Sequence, residues 1–143
     1  MYDIIVLSGG FDPVHKGHVR MIQAAAENCN FLIVGVNSDD WLRRKKGKEF
    51  MGHDERKEII SAFRGVDEVM SFNDDDNSAS DLIKKVRLKN PDRSIAFGNG
   101  GDRVHDNVPE VQTCLEANVE MIWNVGGGKI QSSSELIKNS HLR

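Results

Sequence analysis

Short apolar, β-branched runs alternate along the chain with longer segments in which apolar residues recur at every third or fourth position. The short runs predict β-strands at Asp3–Leu7, Phe31–Asn37, Val66–Phe72, Ser94–Phe97 and Val119–Asn124. The longer segments predict helices at His18–Asn28, Asp54–Arg64, Ser80–Asn90, Val108–Asn118 and Ser133–Ser140. Strands that alternate with helices of this length are typical of right-handed βαβ units. We therefore expect an α/β fold with a doubly wound, five-stranded parallel sheet.

Ligands of an open α/β sheet bind beyond the carboxyl ends of its strands. The loops expected there are "SGGFDPVHKGH", "NSDDWLRRKKGKEFMGHDE", "NDDDNS", "GNGGDRVHDN" and "VGGGKIQSSS". Glycine, histidine, lysine and serine, the residues that bind phosphate groups, are concentrated in these loops. The acidic loop "NDDDNS" is instead typical of a solvated turn.

Composition adds little to this expectation. A chain of 143 residues with 38% apolar and 29% charged residues fits one soluble domain, residues 1–143. The net charge of −3 gives no long-range attraction to nucleic acid or to an anionic membrane. Cys29 and Cys114 fit free thiols in the cytoplasm, and no apolar run approaches the roughly 20 residues that cross a bilayer. We expect neither nucleic acid nor a membrane as a partner.

The first loop has the composition of an anion site. Gly9 and Gly10 allow main-chain N–H groups to come close to a ligand, and Gly17 leaves room beside the start of the helix. His15 and His18, three residues apart, share one face of the first helical turn, where the helix N-terminus favours negative charge. The pattern predicts imidazole donors facing phosphate oxygens.

Two other interpretations of the same residues stay open. One histidine could cap the helix while the other packs against the core. Alternatively, Asp12, His15 and His18 could ligate a metal such as zinc. A further ligand is not apparent in the sequence, and the glycines suit phosphate better than a metal.

The decapeptide "GGFDPVHKGH" resembles the HxGH signature of the cytidylyltransferase-like nucleotidyltransferases. This family includes glycerol-3-phosphate cytidylyltransferase, heptose-phosphate adenylyltransferases, and pantetheine-phosphate and nicotinate mononucleotide adenylyltransferases. The resemblance implies a Rossmann-like nucleotidyltransferase fold, a homodimer, and Mg²⁺ carried by a nucleoside triphosphate. It also implies that His15 and His18 are catalytic and stabilise charge while pyrophosphate leaves.

The resemblance extends to the other loops. It implies catalytic contacts of Lys46 and Lys48 with phosphate, with Lys45 as a weaker candidate, although "RRKKGK" could also be a solvated face. Arg56 is expected to pair with an acidic neighbour and to support the loop or a dimer contact. The implied nucleotide-binding residues are Gly9, Gly10, Phe11, Asp12, Gly17, Gly100, Asp102, Arg103, Lys129, Ser132 and Ser133.

The sequence differs from the family pattern at two positions, one that bears on nucleotide specificity and one in the last loop. Arg103 stands where cytidylyltransferases of the glycerol-phosphate type have tryptophan, and the arginine usual before the terminal serine element is replaced by Lys129 at a shifted spacing. Ser132 with Glu135 also fits a capping box, so the serines could serve the last helix alone.

The sequence thus predicts transfer of a nucleoside monophosphate to a small phosphorylated acceptor, with release of pyrophosphate. We expect CTP and a polyol phosphate, with ATP and a sugar phosphate of the heptose type as the alternative. A non-catalytic nucleotide-binding module is the alternative of another class. A nicotinamide-dependent oxidoreductase is disfavoured because "GNGGDR" lacks the last glycine of the dinucleotide fingerprint.

Overall fold

The computed structural model of the chain describes residues 1–100, 109–127 and 131–132. Within these residues the strands are β1 (Tyr2–Gly9), β2 (Cys29–Val36), β3 (Glu68–Ser71), β4 (Ile95–Gly100), β5 (Glu120–Val125) and β6 (Gln131–Ser132). The helices are α1 (Lys16–Ala26), α2 (Asp39–Lys46), α3 (His53–Ser61), α4 (Ser80–Lys89) and α5 (Glu110–Ala117). The five predicted strands and the first four predicted helices are all present, with ends that differ by at most three residues.

One sheet joins the strands in the order β3-β2-β1-β4-β5-β6. Every neighbouring pair from β3 to β5 is parallel, which confirms the predicted five-stranded parallel sheet. The two-residue β6 adds a short antiparallel edge that the sequence did not predict, with Ser132 opposite Ile122. The helix predicted at Ser133–Ser140 lies outside the described residues.

Apolar residues pack on both faces of the sheet. On one face, Ile83 and Val86 of α4 and Cys114 of α5 join side chains of β1, β4 and β5. On the other face, Ile22 of α1 and Ile60 of α3 cover the opposite side of β1 and β2. This doubly wound arrangement places the switch in strand order between β1 and β4, and their carboxyl ends form the edge where ligands are expected.

Helix α2 is an element that the apolar pattern did not reveal. Only Leu42 among its residues is buried, so its sequence carries almost no apolar periodicity. Polar signals hold it instead, because the Ser38 hydroxyl accepts a hydrogen bond from the Trp41 N–H and Gly47 ends the helix with φ of 90°. Acidic residues fill its first turn and basic residues its last, as the helix dipole favours. The first four residues of the basic run, Arg43–Lys46, are therefore part of a helix rather than a loop.

A helix able to cross a membrane is absent from the part of the chain that the structure describes.

Candidate active site

A cavity of about 540 Å³ lies at the carboxyl edge of the sheet. Its walls come from the ends of β1, β2, β4 and β5 and from the starts of α1, α2, α4 and α5. Six residues implied by the resemblance line it, namely Gly9, Gly10, Phe11, His15, Gly17 and His18. The first loop therefore forms one wall of this cavity, as the sequence predicts.

The first loop has little room for side chains other than those present. Phe11 adopts a left-handed backbone with φ of 52° and is only 2% exposed. A Cβ atom on Gly9 would lie 2.9 Å from Phe11 Cζ, and one on Gly17 would lie 2.9 Å from His15 Cε1. Both glycines thus let an aromatic ring lie against the main chain.

The two histidine rings are stacked, with centroids 3.9 Å apart and planes inclined at 29°. His15 is the N-cap of α1, and its Nδ1 accepts a hydrogen bond from the Gly17 N–H at 3.1 Å. The Nδ1 of His18 accepts from the His15 N–H at 3.1 Å, which completes a reciprocal capping box. The His18 ring also packs edge-on against Phe11, with centroids 4.9 Å apart. The capping role and the cavity-lining role therefore belong to the same residues.

These hydrogen bonds determine the tautomer of each neutral ring. A backbone N–H can only donate, so each Nδ1 must be unprotonated, and in a neutral imidazole the proton then lies on Nε2. Neither Nε2 bonds to another of the described residues. Each ring therefore offers one N–H donor to a ligand in the cavity, as phosphate oxygens require.

Burial, and to a smaller extent the charge of the neighbouring His15, lower the pKa of His18 to about 4. His18 is consequently a neutral hydrogen-bond donor at physiological pH.

We expect the ring protons of His18 to titrate in NMR spectra with a midpoint near pH 4. Because this pKa lies below the ordinary value of 6.5, the unfolded chain binds more protons than the folded chain between these two values. The contribution of His18 to the free energy of unfolding is then complete above pH 6.5 and is lost as the pH falls through 4. A His18→Asn variant assigns the resonance, and a midpoint at or above 6.5 would contradict the capping geometry.

Asp12 supports the loop that precedes α3. Its side chain is 1% exposed, and its carboxylate accepts hydrogen bonds from the Phe50 N–H and the Met51 N–H, both at 2.6 Å, and pairs with Lys46 Nζ at 2.7 Å. Burial alone would raise the pKa of Asp12, but Lys46 and the two N–H groups lower it below the usual value. Asp12 does not line the cavity described above. Its contact with nucleotide stays a prediction.

No group of three or more histidine, cysteine, aspartate and glutamate residues able to hold a metal occurs among residues 1–100, 109–127 and 131–132. Asp12 and the two histidines do not form one, since the Asp12 oxygens and both Nδ1 atoms are engaged elsewhere.

The structure separates the three candidate lysines. Lys45 lines the cavity, and its Nζ lies 4.6 Å from the ring centroid of Trp41, which lines it too. Lys46 binds Asp12, and neither it nor Lys48 is among the residues that line the cavity. The weaker candidate of the sequence analysis is thus the lysine that the structure brings to the site, and phosphate contacts of the other two stay predictions.

Arg56 is fully buried and joins three loops, two of which contribute residues to the cavity. Its guanidinium donates to the carbonyl oxygens of Gly10 and Asn37, both at 2.8 Å, and to that of Met51 at 2.9 Å. It also pairs with Asp39 Oδ1 at 2.7 Å. The predicted pairing with an acidic neighbour and support of the loop are confirmed.

Polar residues that the sequence analysis passed over complete the lining: Ser8, Asn37, Asn77, Ser78, Asn99 and Glu110. Ser8 and Asn99 lie near the ends of β1 and β4, Asn37 follows β2, Asn77 and Ser78 precede α4, and Glu110 begins α5. Only the folded topology brings these residues to one place. Asp74 corrects the expectation of a solvated acidic turn after β3. It is 2% exposed and accepts hydrogen bonds from the side chain of Asn37 and from Ser38.

The remaining predicted nucleotide residues are Gly100, Asp102, Arg103, Lys129, Ser132 and Ser133. Asp102, Arg103, Lys129 and Ser133 lie outside the described residues. Gly100 ends β4 and Ser132 lies in β6, so their backbones are placed at the β4–β5–β6 side of the sheet. Their predicted roles are tested only by experiment.

Comparison with known proteins agrees with this architecture. A profile described as cytidylyltransferase-like matches residues 6–138. The chain is 37% identical over 103 residues to the bifunctional protein HldE of Bradyrhizobium diazoefficiens, which covers 71% of this chain and 19% of that protein. It is 30% identical over 142 residues to the HldE of Geobacter sulfurreducens, which covers 96% of this chain and 27% of that protein. The chain thus spans roughly a fifth to a quarter of the length of these relatives.

Two solved structures share the fold. The lipopolysaccharide core biosynthesis protein from Thermoplasma volcanium superimposes with a TM-score of 0.66 at 21% identity, covering 86% of this chain and 96% of that one. A bifunctional NMN adenylyltransferase/ADP ribose pyrophosphatase from Francisella tularensis gives a TM-score of 0.60 at 20% identity, covering 86% of this chain and 38% of that one.

Proposed function

The chain belongs to the cytidylyltransferase-like family of nucleotidyltransferases, and we propose that it transfers the adenylyl group of ATP to a phosphorylated sugar of the heptose-phosphate type. The similarity to HldE proteins favours this alternative over CTP with a polyol phosphate.

One observation carries the proposal. The stacked rings of His15 and His18 line the cavity with both Nδ1 atoms bound to the backbone, so each ring has an Nε2–H donor for a phosphate oxygen. The N-terminus of α1 adds partial positive charge beside them. This is the arrangement that a transferring phosphoryl group needs, because its charge grows on oxygens and is stabilised by fixed donors.

In the proposed reaction an oxygen of the acceptor phosphate attacks the α-phosphorus of ATP. A new P–O bond forms there, the bond between the α-phosphorus and the bridging oxygen breaks, and that oxygen leaves with pyrophosphate. An acceptor that is already a phosphate anion needs no general base, so alignment and charge stabilisation suffice. The neutral His18 donates to oxygen throughout and does not have to gain or lose a proton.

Mg²⁺ is proposed to arrive with the triphosphate. This ion keeps several water ligands and binds substrate phosphates together with one or two protein groups, so it does not need a dedicated protein cage. The donors of the cavity wall are proposed to hold the phosphates that would carry such an ion. When bound, it would neutralise charge on the triphosphate.

A substrate panel tests the proposed function. ATP, CTP, GTP and UTP are each combined with a heptose 1-phosphate, a hexose 1-phosphate and glycerol 3-phosphate, and pyrophosphate release is measured. We expect the largest kcat/KM for ATP with the heptose 1-phosphate. A preference for CTP with glycerol 3-phosphate would return the assignment to the polyol cytidylyltransferases, and nucleotide binding without any pyrophosphate release would indicate a non-catalytic module.

A further inference from the structure

The cavity wall at the end of β2 differs in polarity from the wall at α1. Asn37, the first residue after β2, is 6% exposed and lines the cavity. Its side-chain Nδ2 donates to Asp74 Oδ2 at 3.0 Å. The same carboxylate accepts from the Ser38 N–H at 2.8 Å and from the Ser38 hydroxyl at 2.7 Å. A buried carboxylate thus lies directly behind the amide.

Asp74 determines which way the amide of Asn37 is turned. Burial would raise the pKa of Asp74, but the hydrogen bonds from Ser38 and Asn37 and the charge of Arg44 lower it, so the carboxylate is ionised and can only accept. Asn37 must therefore present its NH₂ group to Asp74, which leaves Oδ1 as its remaining polar atom. No described residue donates a hydrogen bond to that oxygen.

An amide oxygen backed by a carboxylate selects the kind of group that can bind. Phosphate oxygens only accept hydrogen bonds and carry negative charge, so they are disfavoured at Asn37. A hydroxyl group supplies the donor that Oδ1 lacks. The α1 wall, with its imidazole N–H groups, has the opposite preference.

The position of Asn37 in the sheet indicates which substrate supplies the hydroxyl. β2 lies on one side of β1, whereas β4, β5 and β6, which carry the implied nucleotide residues Gly100 and Ser132, lie on the other. On the β2 side, Lys45 also lines the cavity and brings a cation for a phosphate. This wall therefore suits a molecule that bears both hydroxyl and phosphate groups.

We propose that Asn37 is a specificity-determining residue whose Oδ1 accepts a hydrogen bond from a hydroxyl group of the acceptor substrate, and that Asp74 is the residue that positions it. This proposal rests on the proposed function and narrows its acceptor to a polyhydroxylated phosphate ester. A phosphate carried on an apolar chain would leave Asn37 Oδ1 without a donor, which costs binding energy.

The test compares a heptose 1-phosphate with its monodeoxy analogues, each lacking one hydroxyl, in the wild type and in Asn37→Ala, with ATP as the nucleotide. For one analogue the wild type is expected to show a kcat/KM about tenfold or more below that for the parent sugar phosphate, because the missing hydroxyl leaves Asn37 Oδ1 desolvated and unpaired. The Asn37→Ala variant should have a raised KM for the parent sugar phosphate, an unchanged KM for ATP, and no discrimination against that analogue. Asp74 keeps its two hydrogen bonds from Ser38 in this variant, so the fold is expected to persist.

Two further variants complete the design. Asp74→Asn removes the charge that orients the Asn37 amide. Like Asn37→Ala, it should reduce the ratio of kcat/KM between the parent heptose 1-phosphate and the deoxy analogue. Asn99→Ala is the matched comparison, since Asn99 is also a buried asparagine of the cavity but lies on β4, where its Nδ2 faces the Ile122 carbonyl at 3.4 Å. The Asn99→Ala variant should rank the parent sugar phosphate and its deoxy analogues by kcat/KM as the wild type does.

Each result decides the proposal. An Asn37→Ala variant that discriminates as the wild type does, or one that raises the KM for ATP instead, would overturn the assignment while leaving the proposed function in place. If Asn37→Ala does not fold, Asn37→Ser provides the same comparison. A wild type that turns over no sugar phosphate would overturn the proposed function and this inference together.

Discussion

Replacement of His18 by asparagine is expected to lower kcat by about 10²–10³, the loss typical of one donor to a developing oxyanion, with little change in stability. The asparagine Oδ1 can take the place of Nδ1 and accept the hydrogen bond from the His15 N–H, which now measures 3.1 Å. The shorter side chain has no group where Nε2–H lies. The same substitution at His15 keeps a favourable N-cap and removes its outward donor.

Steady-state kinetics measures kcat, urea unfolding measures the free energy of unfolding, and a binding titration measures the affinity for nucleotide. The alanine variants at both positions are the controls, because they remove the cap acceptor together with the donor and should lower both activity and the free energy of unfolding. Asparagine variants that retain full turnover would show that the rings serve only the start of α1.

Loss of Arg56 is expected to have the largest effect on stability. The Arg56→Ala substitution leaves Asp39 without its partner and removes the donor from the carbonyls of Gly10, Asn37 and Met51. Asp39 is 31% exposed, so water solvates part of its unpaired charge, and the expected cost is about 3 kcal/mol, the lower end for a broken buried ion pair and still a large part of the stability of an ordinary domain. Urea unfolding followed by circular dichroism measures the change.

Arg43→Ala is the matched control. Arg43 also pairs with carboxylates, Asp40 and Glu49, but its side chain is 52% exposed, so its removal should change the unfolding midpoint much less. The loss of stability for Arg56→Lys should fall between those of Arg43→Ala and Arg56→Ala. An ammonium group can pair with Asp39, but it lacks the planar, five-donor geometry with which the guanidinium reaches three carbonyls. Equal losses for Arg43→Ala and Arg56→Ala would contradict the role of Arg56 as a buried link between loops.

The sheet and the first loop were predictable because local sequence determines them. Apolar runs report the strands, and the spacing of His15 and His18 on a helix N-terminus follows from helix geometry alone. Helix α2 was missed because capping and charge placement, rather than an apolar face, form it. The local signals for this helix are Ser38 as its N-cap, Asp39 and Asp40 in its first turn, and Gly47 at its end.

Contacts between loops distant in the sequence could not be predicted in the same way. Lys46 and Lys48 were favoured over Lys45 from position alone, but Asp12, 34 residues away, binds Lys46. The burial of Asp74 depends on Ser38, 36 residues away, so "NDDDNS" looked like a solvated turn. Such pairings are set by strand order, which a single loop sequence does not contain.

The capping box also explains why imidazole suits the first loop better than other polar side chains. Lysine and arginine could donate to an anion but have no acceptor for the backbone, and serine or asparagine could cap the helix but would not extend far enough outward. Imidazole has an acceptor and a donor on different ring atoms and combines them without net charge. One side chain thereby joins the demands of chain folding to those of chemistry.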